Sequence, residues 1–163
     1  MSSEPGIDGR EFRRVLGHFA TGVTVVTAET DDGPAGMAIG SFSSVSLDPP
    51  LVMFCPSRDS ESWAKIRTGD SFCVNVLGHH QRVVCETFAS SVEDKFADVE
   101  VRTELTGAPV IGGSLAWIDC TYYAVYDGGD HEIVVGLVKA LGTDQDGLPL
   151  MFFRGGYGRF EEL

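Results

Sequence analysis

The chain has 163 residues, 43% of them hydrophobic and 22% charged, with 24 Asp and Glu against 12 Lys and Arg, a net charge of −12. That length and composition fit one globular domain with a sizeable core; the acidic balance and the scattered basic residues argue against nucleic acid or an anionic membrane surface as partner. No apolar run approaches the ~18 residues of a membrane span, and the polar start MSSEPGIDGREF lacks a signal-peptide centre.

In chain order, Ile7 to Gly17 has the periodicity of a helix. Asp8 is its N-cap, Glu11 completes a capping box, and Ile7 with Phe12 occupy hydrophobic-staple positions. Gly22 to Ala28, GVTVVTA, is β-branched and predicts a strand. Asp32-Gly33 is a hairpin signal, and Gly36 to Ser46 returns as a strand. Alternation puts Gly36, Ala38, Gly40 and Phe42 on one face of that strand. Such a nearly bare face lets a flat ligand approach closely. Ser41, Ser43, Ser44 and Ser46 add hydroxyls that suit a ring edge or a phosphate. Asp48, Pro49 and Pro50 end the segment stiffly.

Leu51 to Cys55 is apolar on both faces and predicts a central strand. Ser60 to Thr68 is a short Ser-capped helix stopped by Gly69, and its start within SRDSESW (Ser57 to Trp63) offers N–H groups to an anion. Phe72 to Leu77 is a strand with Asn75 as its one polar residue. His79 to Ala89 is a second short helix, and Ser90 to Pro109 is mostly loop. Leu115 to Tyr126 and His131 to Thr143 form the longest hairpin, around Asp127-Gly128-Gly129-Asp130. Pro149 to Phe153 is the last strand, followed by the tail RGGYGRFEEL. About seven strands with short helices between them predict a closed or half-closed antiparallel barrel.

Several chemistries are absent. No GxGxxG follows a strand, and there is no Walker loop and no GxSxG elbow. His79 and His80 are adjacent with no second pair at ligand spacing, so no metal site is expected. Cys55, Cys73, Cys85 and Cys120 are dispersed without CxxC, which predicts a reduced, cytoplasmic protein. Lys95-Phe96 in a polar loop, and His131 opening a strand after a flexible turn, remain as candidate cleft residues.

The blocks ATGVTVVTA, GMAIGSFSSVSLDPPLVMFC, FCVNVL, DKFADV, GAPVI, LAWIDC, GGDHEIVVGLV and PLMFFRGGYGRF resemble, in order, those of the flavin reductase family. These are the small NAD(P)H-dependent reductases that supply two-component flavin monooxygenases. The resemblance runs from about Phe12 to Phe160 within a single domain, 1–163. It implies a mainly β fold with short helices, the FMN-binding split β-barrel, usually a homodimer. It implies FMN or FAD as cofactor, NADH or NADPH as co-substrate, and a flavin-dependent monooxygenase component as partner. By that likeness Met37, Ala38, Ser41, Phe42 and Ser43 lie near the ring or ribityl chain. Pro50, Cys55, Ser57, Ser60 and Ser62 lie near the ribityl and phosphate. Lys95 and Phe96 close over the flavin, His131 faces the nicotinamide, and Tyr157 and Arg159 lie near the same mouth. The chain departs from the family pattern at Ala38 and Gly40, where relatives often carry a Thr and a Ser or Asn. The loss of those hydrogen bonds suits a flavin that leaves as product. A split-barrel oxidase or oxygenase that retains its flavin, and a non-enzymatic flavin-binding protein, are the alternatives. Hydride transfer requires no protein acid or base, in keeping with the lack of a conspicuous catalytic set.

Overall fold

The computed structural model describes residues 6–163. Twelve strands and three helices follow one another in the order α1 (Gly9–Leu16), β1 (Thr21–Gly22), β2 (Thr24–Thr30), β3 (Gly33–Ile39), β4 (Ser43–Ser46), β5 (Leu51–Phe54), α2 (Glu61–Ile66), β6 (Ser71–Val76), α3 (Arg82–Ala89), β7 (Val101–Thr103), β8 (Pro109–Ile111), β9 (Ala116–Gly128), β10 (His131–Thr143), β11 (Leu150–Phe153) and β12 (Gly156–Arg159). A short 3-10 turn, His79–Gln81, leads into α3.

Seven strands form one antiparallel sheet in the order β3-β2-β6-β9-β10-β5-β4. Its two edge strands, β3 and β4, are consecutive in the chain and separated only by Gly40, Ser41 and Phe42. Such a short link spans at most ~14 Å, so the sheet must curl until its edges nearly meet. The core agrees: Ala35 and Ile39 from one edge share a buried cluster with Val52 and Phe54 of β5, the strand next to the other edge, around Phe72, Val74 and Val134. No ladder joins the edges, so the barrel is split, as expected. A second sheet, β1-β11-β12, and a small pair, β7-β8, complete the fold.

Strand β2 is buried on both faces because it lies between two clusters. Val26 and Ala28 enter the barrel core, while Val25, with Val23 just before the strand, faces Leu77, Cys85, Phe88, Ile111 and Leu150 beneath α3. Asn75, the polar residue inside β6, is fully satisfied. Its Nδ2 donates to Val25 O (3.0 Å) and Thr27 Oγ1 (3.1 Å), and its Oδ1 accepts from Ile111 N (2.8 Å). It thereby ties β8 to the sheet.

Three expectations need correcting. Gly36 to Ser46 is not one strand: the ladder stops at Ile39 and resumes at Ser43 on the opposite edge. Residues 90–109 are mostly loop, as expected, interrupted by β7, which pairs with β8 at Arg102↔Val110; three-residue strands leave too little alternation to find. The tail carries β12, folded back on β11. At α1, Asp8 does cap the helix through Arg10 N. Glu11, however, closes no capping box; it pairs with Arg14 at 2.6 Å, and Ile7 and Phe12 stay exposed instead of stapling.

Three of the four cysteines, Cys73, Cys85 and Cys120, are core residues. Cys73 and Cys120 are wholly buried. Burial pushes both thiols up, Cys120 to about 12 with the negative charge of Asp119 adding to it. Neither supplies a thiolate for redox chemistry.

Candidate flavin site

The face of β3 that looks bare in sequence is bare for a packing reason. A Cβ on Gly36 would lie 2.6 Å from Phe88 Cε1 and 3.3 Å from Phe96 Cζ. The two rings meet edge to face at 5.0 Å and take the space that the sequence assigned to a ligand. Gly36 therefore admits α3 and the Phe96 loop against the strand. The open surface lies just beyond them, at Met37 and Ala38.

There a depression of about 500 Å³ is lined by Met37, Ala38, Ser60, Ser62, Ser90 and Lys95 among others. A second of about 270 Å³ adjoins it, sharing Ser62, Ser91 and Lys95 and adding Lys65 and Phe96. Lys95 stands at the junction. Its Nζ donates to Ser62 Oγ (2.8 Å), Phe88 O (2.9 Å) and Gly36 O (3.2 Å). One ammonium thus braces β3, α2 and α3 while lining the cleft. Burial lowers its pKa from the ordinary lysine value, and the charge of Lys65 lowers it further.

The start of α2 offers less than its sequence promised. The helix is six residues long, and the Ser60 hydroxyl accepts from Trp63 N at 3.1 Å. Ser57 Oγ likewise accepts from Asp59 N. Anion-binding capacity rests instead on Lys95 and Lys65 with the free valences of the surrounding hydroxyls.

At the split, Ser41 is held rather than presented. Its hydroxyl accepts from Cys55 N (2.9 Å) and donates to Cys55 O (3.3 Å), fastening the link between the barrel edges to the end of β5. Ser41, Phe42 and Ser43 line another depression, about 540 Å³, with Phe19 to Thr24. Ser57 bridges His131, so the hairpin tip sits beside the segment that leads into α2. His131 is exposed, its Nδ1 2.7 Å from Asp130 Oδ1.

Beyond Ser41, Phe42 and Ser43 in their own depression, three further assigned residues lie elsewhere. Pro50 sits at the opposite end of β5 from Cys55, its carbonyl accepting from Val138 N. Tyr157 and Arg159 line a separate depression with His79 and Arg82, and no described contact joins them to His131. The Tyr157 hydroxyl lies 3.4 Å from Cys85 Sγ. That hydrogen bond, then burial, push its pKa up to about 12. Sequence reasoning missed Ser90, Ser91 and Lys65, for which the Ser-Ser pair after an apolar helix was the available signal. It also missed Arg58 and Glu132.

The donors fit a phosphate-bearing flavin: two lysines and several hydroxyls border a cleft floored by Met37 and Ala38, with the carboxylates of Asp59, Glu61, Glu93 and Asp94 at the same walls. Proteins of known structure share the architecture. A nitrilotriacetate monooxygenase component B homologue from Mycobacterium thermoresistibile superposes with a TM-score of 0.90 at 48% identity, over 93% of this chain and 86% of that one. A Streptomyces globisporus NADH:FAD oxidoreductase, solved with NAD and FAD fragments, gives 0.88 at 36% identity, over 97% and 98%. Among curated proteins, a flavin reductase of Pseudomonas putida is 52% identical over 96% of this chain and 93% of its own length. The reductase subunit of a flavin-dependent monooxygenase of Rhodococcus jostii is 47% identical over 95% and 80%. The fold is the split barrel of the small flavin reductases. The chain belongs to the family of the flavin reductase like domain, whose model matches residues 16–161.

Proposed function

We propose that this chain is an NAD(P)H:flavin oxidoreductase that reduces FMN or FAD and supplies the reduced flavin to a monooxygenase component. The observation that carries the reading is the Lys95-centred cleft beside the split of the barrel, in a chain of this family. Relatives named as reductase components of monooxygenases, and an NADH-dependent FMN reductase of Agrobacterium fabrum at 43% identity, support it.

Bound flavin supplies the ring that accepts a hydride from the nicotinamide. The chain's own residues bind and orient. Lys65 and the hydroxyls of Ser62 and Ser91 meet the phosphate, with the charge of the internally bonded Lys95 beside them. Met37 and Ala38 floor the cleft, with Ser41 and Cys55 fixing its edge. His131 orients the nicotinamide substrate from the hairpin tip, by hydrogen bonding as a neutral ring or by charge when protonated. No side chain has to move a proton. The protein adds position and electrostatics to chemistry that belongs to its cofactor. Titrating FMN and FAD by flavin fluorescence tests the binding half of the reading. Saturable quenching is expected, and no binding at tens of micromolar flavin would refute it.

The working form is a homodimer in the same reading. Helix α1 buries none of its residues, and Phe12, Val15, Leu16 and Phe19 expose half or more of their surface. Tyr123 and Tyr126 of β9 are similarly open. Apolar surface of that extent favours cover by a partner. Light scattering at micromolar protein is expected to give twice the monomer mass; monomer alone would contradict the dimer. No helix of the described residues is long and apolar enough to cross a membrane.

A further inference from the structure

The hairpin that carries His131 overhangs the sheet. Its pairing with β5 ends at Val134↔Phe54, and pairing of β9 with β6 ends at Thr121↔Ser71. Beyond those points β9 pairs only with β10, and β10 is flanked otherwise only by residues 56–58, through Glu132 N to Pro56 O (3.0 Å), the Ser57↔His131 bridge and Arg58 N to Asp130 O (3.0 Å), up to a turn whose Gly129 adopts φ +78°. A two-stranded ribbon is marginal by itself, and this short backbone contact along one edge leaves side chains to hold the tip.

One arginine makes the side-chain contacts at the tip itself. Arg58 N donates to Asp130 O at 3.0 Å. Its side chain then reaches three acceptors around the tip: Nε to Gly129 O (2.8 Å), Nη2 to Asp127 Oδ1 (2.5 Å) and Nη1 to Glu132 Oε1 (3.2 Å). These partners flank His131 on both sides. Glu132 is anchored in turn to α2, accepting from Trp63 Nε1 (2.7 Å) and Arg67 Nη1 (3.1 Å). The guanidinium is a rigid planar fork of five donors, and three acceptors in different directions fix both its place and theirs. Arg58 itself lies between Ser57 and Ser60, in the segment leading into the cleft.

We propose that Arg58 is a positioning residue that holds the tip carrying His131 against the Ser57–Ser62 segment, aligning the nicotinamide with the flavin site. The proposal rests on the reading above that His131 orients the nicotinamide. Arg58 acts through His131, so its removal costs nothing further once that imidazole is gone.

The test is a double-mutant cycle read in the KM for NADH, with flavin saturating and the melting temperature followed for every variant. His131→Ala is expected to raise KM about tenfold and Arg58→Ala about fivefold, with kcat changed less than KM. The double variant is expected to match His131→Ala alone, a fully non-additive pair. A purely structural role for Arg58 would lower kcat and melting temperature and multiply with the His131 effect, to about fiftyfold; that result overturns the proposal while leaving His131 its role. An unchanged KM in His131→Ala overturns the underlying reading instead. Should Arg58→Ala fail to fold, Asp127→Asn serves, because that carboxylate is exposed. A rise of about twofold that vanishes in the His131→Ala background supports the proposal; no rise, or a rise in both backgrounds, overturns it.

Discussion

Lys95→Met is expected to weaken flavin binding about a hundredfold, ~2.7 kcal/mol, and to lower the melting temperature as well. The ammonium holds Ser62 Oγ, Phe88 O and Gly36 O within 3.2 Å. Hydrogen bonds to a charged group are worth ~1.5–3 kcal/mol each, and acceptors left behind without a donor add their desolvation cost. The substitution therefore loosens β3, α2 and α3 where they meet at the cleft and removes the positive charge that faces a phosphate. Lys95→Arg is not expected to restore binding, because a planar fork cannot point three donors at acceptors that surround a single atom. The lowered pKa of Lys95 has a visible consequence: it loses its charge at a lower pH than an ordinary lysine. Flavin affinity should therefore decline earlier on the alkaline side. Fluorescence titration against pH, with calorimetry of the variant, checks both statements; a Kd within about threefold of the parent would refute the role given to Lys95.

The largest loss of stability is expected from Glu132→Ala. Glu132 is buried at the foot of the overhanging hairpin and accepts from Trp63, Arg67 and Arg58. Removing one partner of a buried ionic cluster commonly costs ~3–5 kcal/mol. Here the arginines are half exposed and can rehydrate, so the lower end applies. The Trp63 indole N–H, with the ring 1% exposed, has no such recourse. A loss of ~3 kcal/mol corresponds to a fall of about 6–12 °C in melting temperature for a chain of this size. The pH dependence follows with a definite sign. The Trp63 hydrogen bond, with Arg67 and Arg58, holds the Glu132 carboxyl below its ordinary value. Its stabilisation is thus complete above the ordinary carboxylate pKa and is lost as pH falls through the folded-state value. Glu132→Gln should flatten that acid limb. An unaltered melting temperature in Glu132→Ala, or an acid limb of parental steepness in Glu132→Gln, would contradict the account.

These two residues mark what the sequence makes legible. Strand β2, the β9–β10 hairpin and the Asp8 and Ser60 caps follow from alternation, turn chemistry and capping, which act between neighbours in the chain. Lys95 was visible as a lone lysine beside an aromatic, and the ordered blocks brought it into the site. Glu132 was not singled out: within HEIVVGLV it looks like an outward-facing strand residue, and its partners lie more than sixty positions away. Gly36 was misjudged for the same reason, because the rings that require it come from α3 and from the loop beyond. The break at Gly40, Ser41 and Phe42 was also hidden, since the Ser41–Cys55 hydrogen bonds that replace the ladder are a contact of the folded barrel. Local rules reveal elements; the site is built where distant elements meet.

The most direct test of the central claim is NADH oxidation by the purified protein under anaerobic conditions, with and without added FMN or FAD. The account predicts multiple turnovers, with flavin bleached in step with NADH consumed and a rate that saturates in free flavin. Flavin that binds but stays oxidised in excess NADH and NADPH would contradict it.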